Sequence, residues 1–290
     1  MPSGWDGLGT NVFQGRHARI HSFPPRINMD RMHFPPRSPM PRFDADYVPS
    51  SAMTIFAHSD DAEFIVSGTI AKWARAGCEV TFVVITSGNV GTHDPKYSRQ
   101  TLTRTRESEQ EAAARVLGVK HVVSLGYDDC QLVPTLELRR RLVREIRKYR
   151  PEVVVCGDPQ AWFFENHYIN HPDHRAAAVA ALDAVFPCAE MELLWPEEGA
   201  AHKVHAVYVS ATHTPNTWVD IGDTIDTKIE SLRAYGSQVG AWDPSEKIRE
   251  RAAREAERAN RMSAEKASGI SDPRSPPVYL EAFRVMKLKE

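Results

Sequence analysis

The chain has 290 residues, enough for one large domain or two small ones around a substantial core. Its 42% hydrophobic and 26% charged content is that of an ordinary globular protein, and a net charge of −2 gives no electrostatic case for nucleic acid or an anionic membrane as partner. No apolar run approaches the roughly 18–20 residues that span a bilayer, and no basic cluster followed by an apolar stretch marks a secretory leader, so a cytoplasmic protein without a membrane span is expected. Cys78, Cys130, Cys156 and Cys188 form no C-x-x-C pair, so neither a disulfide framework nor a Cys-type zinc site is expected. Any metal chemistry then falls to His, Asp and Glu.

Residues 1–50 are rich in Pro and Arg, lack Lys and show no period of 2 or 3.6. They read as an arm, either loosely packed or lying across a second copy of the chain, which makes a homo-oligomer an expectation. A single domain is expected over 51–290. It opens on AMTIFA (52–57), a buried strand, then a helical pattern through Ile65, Ile70 and Trp73, with Gly77 at the C-cap position. VTFVVITSG (80–88) is the next strand, 103–117 a charged helix, HVVSLGY a strand, 135–149 an amphipathic helix and PEVVVCG (151–157) a further apolar strand. HPDHRAAAVAALDAVF (171–186) is Ala-rich and helical with Pro172 in its first turn, and HAVYVSA (205–211) is a strand. Residues 245–267 are dense in Glu, Arg and Ala and read as a solvated helix, and PPVYLEAFRVMKL reads as a packed closing element.

Strands that are apolar throughout and alternate with helices predict an α/β fold, a mostly parallel sheet with helices on both faces. Such sheets place their sites beyond the C-terminal ends of the strands. Two polar clusters fall there. His58 and Asp61 follow the first strand at a spacing of three, and His171 and His174 open the helix at 171–186 at the same spacing. Residues i and i+3 share one side of a turn, so each pair can present two groups to a common point. Two imidazoles and a carboxylate with open positions suit a catalytic divalent metal, zinc being the commonest hydrolytic case. Asp60 is then placed to take a proton from an activated water, and His171, if not a ligand, to face a developing oxyanion. The plainer reading of HPDH is a helix start, with His171 before a first-turn Pro and Asp173 favouring the dipole. No G-x-G-x-x-G after a strand, no P-loop and no G-x-S-x-G occurs, which demotes a dinucleotide enzyme, a nucleoside triphosphatase and an α/β serine hydrolase.

With AHSDDAEF (57–64), RESEQEAAARVLGV (106–119), LGYDD (125–129), HPDHR (171–175), YVSATHTPNTWVDI (208–221) and YLEAF (279–283) in this order, the sequence resembles the LmbE-like or PIG-L family of zinc-dependent de-N-acetylases. The resemblance covers roughly residues 50–285. It implies a Rossmann-like fold, with His58, Asp61 and His174 as ligands of Zn2+ or another divalent metal, Asp60 as general base and His171 as the group that helps the oxyanion or the leaving amine. It also implies Arg106, Asp129 and Tyr168 as substrate contacts. The implied reaction removes acetyl from an N-acetylglucosamine-type sugar or glycoconjugate, releasing acetate and a free amine. Cleavage of another amide, such as a thiol conjugate, and an inactive sugar-binding protein stand as alternatives. Ser59 occupies the position of the family's usual Pro, and Ala62 precedes Glu63, whose role is open. His93 and His213 read as loop residues near the site or on the surface.

Overall fold

The computed structural model describes residues 46–266 and 279–288, so the expected arm lies outside the described residues apart from 46–50. The first half of the domain alternates as its apolar runs predict: β1 (Ser51–Phe56), α1 (Asp61–Ile65), α2 (Ser67–Arg75), β2 (Glu79–Thr86), α3 (Arg99–Leu117), β3 (His121–Tyr127), α4 (Leu136–Tyr149) and β4 (Val153–Cys156). A two-stranded hairpin follows, β5 (Phe163–Phe164) with β6 (Tyr168–Ile169), and then α5 (Pro172–Val185). β7 (Ala206–Ser210), β8 (Thr217–Asp220), α6 (Ile225–Arg233), α7 (Gly236–Val239), α8 (Ser245–Lys266) and β9 (Leu280–Lys287) complete it.

The seven-stranded sheet runs β3-β2-β1-β4-β7-β9-β8. The first five strands pair in parallel, while β9 is antiparallel to both β7 and β8. The closing segment therefore departs from the parallel pattern and inserts between its predecessors. Within a strand, successive side chains serve opposite faces. Ala52 and Phe56 of β1 join Trp73, Ile229 and Leu232 on one side, and Met53 and Ile55 join Leu142, Ile146 and Ala181 on the other. Each face thus has its own core under its own helices.

Two buried charges tie the later elements down. Glu281 on β9 accepts the Gly68 and Thr69 N–H groups at the start of α2 and pairs with Lys228 at 2.6 Å. Arg147 of α4 donates to the carbonyls of Cys188, Ala189, Met191, Leu194, Trp195 and Gly199, which shapes the loop before β7. Helix α3 starts at Arg99, earlier than residue 103, because Ser98 and Thr101 form a reciprocal capping box. A Thr in place of the usual Glu or Gln hid that signal. Among the described residues, no helix is long and apolar enough to cross a membrane.

Strand order matters most for function. From β1 the chain winds outward to β2 and β3, then returns to place β4 on the other side of β1. This is the topological switch point, where a crevice forms beyond the C-terminal ends of β1 and β4. The sequence 57–63 leaves β1 there, and 157–174 leaves β4 there.

Candidate metal centre and active site

The turn after β1 is held by its own polar groups. The His58 N–H donates to Asp61 Oδ2 at 2.9 Å, folding the Asp61 carboxylate back beneath the imidazole. From the β4 side, the His171 Nδ1 accepts the Asp173 N–H at 3.2 Å, so His171 is the N-cap of α5 and Pro172 its first residue. The helix-start reading of HPDH is therefore correct, and it also sets the next turn: His174 projects back toward β1.

The three residues expected as ligands converge. His174 Nε2 lies 3.0 Å from Asp61 Oδ1 and 3.1 Å from His58 Nδ1, and His58 Nδ1 lies 3.6 Å from Asp61 Oδ2. Donor atoms bound to one tetrahedral zinc at 2.0–2.1 Å sit about 3.3 Å apart, and His174 Nε2 stands close to that separation from both Asp61 and His58. His171 belongs to the same cluster: ring nitrogens of His58, His171 and His174 lie within 4.8 Å of one another. The donor set fits a divalent cation with a position left open.

Both imidazoles are oriented from behind. His58 Nε2 lies 3.0 Å from Asp129 Oδ1, and Asp173 Oδ2 is 3.7 Å away. His174 Nδ1 lies 3.0 Å from Asn170 Oδ1, and the Asn170 amide donates to Ala161 O at 2.7 Å. Partners of this kind fix which ring nitrogen faces a metal. Asp129, expected on a sugar hydroxyl, turns its carboxylate to His58 instead. Asp173 was legible only as a dipole partner, yet its carboxylate takes the Cys130 and Leu132 N–H groups and so locks the β3 loop to α5.

The electrostatics are those of a pocket built around a cation. Burial works against charge on His58, but hydrogen bonds to Asp129, Asp173 and Asp61 prevail and push its pKa up to about 12. Burial alone would raise Asp61; attraction to His174 and His58 holds it well below the carboxylate range. Asp129 is likewise opposed by burial and brought down to about 2 by His58. Asp60 goes the other way: burial and the adjacent Asp61 charge raise it above the ordinary range, against the pull of Arg106 and His58. The two adjacent aspartates thus have opposite proton affinities. His171 is lowered by burial and by repulsion from His58. Because its Nδ1 accepts a backbone N–H, its proton resides on Nε2, so the neutral ring is a donor.

Asp60 Oδ2 accepts from Gln238 Nε2 at 2.8 Å. Gln238 stands on α7, which Glu109 of α3 anchors by accepting the Ser237 N–H and hydroxyl at 2.7 and 2.6 Å. No sequence pattern pointed to Gln238, which lies 178 positions from its partner. Beneath them, Tyr235 donates to Ser59 O at 2.5 Å, supporting the turn where the family's Pro is replaced. Glu63 is fully buried, and neither oxygen has a well-formed hydrogen bond. Burial, with Asp60 nearby, raises its proton affinity well above the usual carboxylate range.

The remaining expectations divide. Arg106 is only 2% exposed; it donates to Gly91 O at 3.0 Å under the loop after β2 rather than reaching outward. Gly91 fits because a Cβ there would stand 3.2 Å from Arg106 and 3.3 Å from Asp129. Tyr168 stands half-exposed on β6 beside Phe164, and burial and the Asp61 charge raise its phenol above the ordinary value. His213 packs against Phe164 of the hairpin, while His93 is exposed.

The model of the PIG-L family, described as GlcNAc-PI de-N-acetylase, matches residues 53–185. Diacetylchitobiose deacetylase of Thermococcus kodakarensis is 34% identical over 200 residues, covering 66% of this chain and 73% of that protein. The chain belongs to the PIG-L family. A second relative, mycothiol S-conjugate amidase of Streptomyces coelicolor, is 27% identical over 219 residues, covering 67% of this chain and 72% of that protein. The solved N,N'-diacetylchitobiose deacetylase of Pyrococcus horikoshii superimposes with a TM-score of 0.70 at 29% identity, over 82% of this chain and 84% of that one. The PIG-L match spans both polar clusters, from β1 through α5, whereas Gln238 and Glu281 lie outside it.

Proposed function

We propose that the protein is a zinc-dependent de-N-acetylase that hydrolyses the acetamide of an N-acetylglucosamine-type sugar. The carrying observation is the convergence of His58 Nδ1, His174 Nε2 and the Asp61 carboxylate at the switch point of a PIG-L chain, with Asp60 next to Asp61 in the same turn. A divalent metal held by these three residues would acidify a water to near neutral pH and polarise the amide carbonyl. Asp60 takes the proton of the attacking water. Its raised proton affinity suits that task, and Gln238 occupies Oδ2, which leaves Oδ1 for the transfer. The water oxygen bonds to the carbonyl carbon, and His171 faces the carbonyl oxygen with its Nε2–H as a neutral donor. Tyr168, which keeps its phenolic proton, can add a second donor from the rim. The C–N bond then breaks as Asp60 returns its proton to the nitrogen, giving acetate and a free amine.

The test is metal analysis of the purified protein together with acetate release from a panel of N-acetylated sugars and a thiol-conjugate amide. About one equivalent of zinc and acetate from the sugars are expected. Protein that binds no zinc and releases no acetate after zinc is restored would refute the reading. Turnover of the thiol conjugate alone would transfer the same chemistry to another amide.

A further inference from the structure

Asn170, which meets Nδ1 of the ligand His174, is built into the base of the β5–β6 hairpin. Its N–H donates to Trp162 O at 2.8 Å, which adds one rung to the pairing of Phe163 with Ile169. Its side-chain amide donates to Ala161 O at 2.7 Å. A backbone carbonyl only accepts, so that bond turns the Asn170 NH2 toward Ala161 and its Oδ1 toward His174, 3.0 Å away. Oδ1 accepts in turn, which places the ring proton on Nδ1 and leaves the Nε2 lone pair for a metal. The tautomer of the ligand is thus set by where the hairpin base holds one carbonyl.

The base is held by Arg175, the residue after His174 on α5. Its guanidinium lies over the Trp162 ring, 3.9 Å from the centroid, and its Nη1 donates to Asn170 O. The indole face attracts the cation through its quadrupole. One side chain therefore clasps both ends of the hairpin, the residue that enters β5 and the residue that leaves β6. The hairpin needs such a clasp, because its strands are two residues each and a pair of that size does not hold together alone in water. Helix α5 carries the ligand and the clasp on adjacent residues, so the carbonyl that orients Asn170 and the imidazole that Asn170 orients are fixed to one backbone.

We propose that Arg175 and Trp162 are positioning residues for the metal ligand His174, acting through Asn170. Their contact keeps Ala161 O where it holds the Asn170 amide, and so keeps Nε2 turned to the metal. The inference rests on the metal-centre reading above, and its test needs no turnover: zinc affinity is measured on the zinc-loaded protein by competition with a chelating dye. Arg175→Met keeps the length of the side chain and loses both contacts, so affinity should fall about tenfold. Trp162→Ala removes a ring that is 53% exposed, outside either core, and should lower affinity several-fold. Arg175→Lys and Trp162→Phe each keep a cation over a ring and should retain most of it. In an Asn170→Ala background, itself weakened about 10- to 100-fold, Arg175→Met should cost nothing further. Unchanged affinity in Arg175→Met and Trp162→Ala would overturn the proposal. So would an equal loss from Arg175→Met with and without Asn170, or a comparable loss from Phe163→Ala, which removes an exposed hairpin ring outside the clasp. If Arg175→Met does not fold, Trp162→Ala, alone and with Asn170→Ala, decides in its place. A native protein that binds zinc but releases no acetate sinks the deacetylase reading and leaves these affinities to decide; one that binds no zinc overturns both.

Discussion

His58 Nε2 and Asp129 Oδ1 lie 3.0 Å apart, and that contact decides which face of the imidazole a metal can use. With Nε2–H committed to a buried carboxylate, only Nδ1 is free to meet His174 and Asp61. Replacing Asp129 by Asn keeps the shape but removes the charge that makes the ring a better ligand. Zinc affinity, measured by competition with a chelating dye, should fall about 10- to 100-fold. An unchanged affinity would show that Asp129 does not orient His58.

Gln238 is expected to act on the reaction through Asp60. Gln238→Met keeps the side chain's size and loses the donor, so kcat should fall about tenfold, the order expected for a hydrogen bond to a charged group, with KM little changed. In an Asp60→Asn background the same substitution should cost nothing further, because there is no charged base left to position. An equal loss in both backgrounds would mean that Gln238 merely supports the fold.

The legible part of this site is the part written as contiguous words. His58 and Asp61 share one turn, and His171 and His174 one helix start, so the spacing of three placed each pair on one side. The supporting groups were not legible because each acts across the fold with an ordinary residue type. Asn170 precedes HPDH by a single position yet looks like any loop asparagine. Gln238 sits on a four-residue helix too short to show a period. The parallel strands could be read from their continuous apolar runs. The antiparallel insertion of β9 could not, since strand order depends on pairing that no local pattern encodes. Arg106 lies on a charged helix, and only the packing of the loop after β2 shows its side chain buried.

Acid should weaken the link between α4 and the loop before β7. Arg144 and Arg140 bind Glu198, and these contacts bring its pKa to about 2 from an ordinary value near 4.5. A depressed folded-state pKa stabilises the protein fully above the ordinary value, and the contribution is lost as pH falls through the range between the two. Thermal melts of the native protein and Glu198→Gln should therefore differ at pH 7 and converge between pH 4.5 and 2.5. A difference that does not change with pH would exclude this ion pair as its cause.

Asp60, the buried carboxylate next to Asp61, carries the base's role in the proposed reaction. Zinc content and kcat for acetate release should be measured together on Asp60→Asn. The variant should keep about one equivalent of zinc while kcat falls by roughly 10²- to 10⁴-fold. Turnover within twofold of the native protein, with zinc retained, would contradict it.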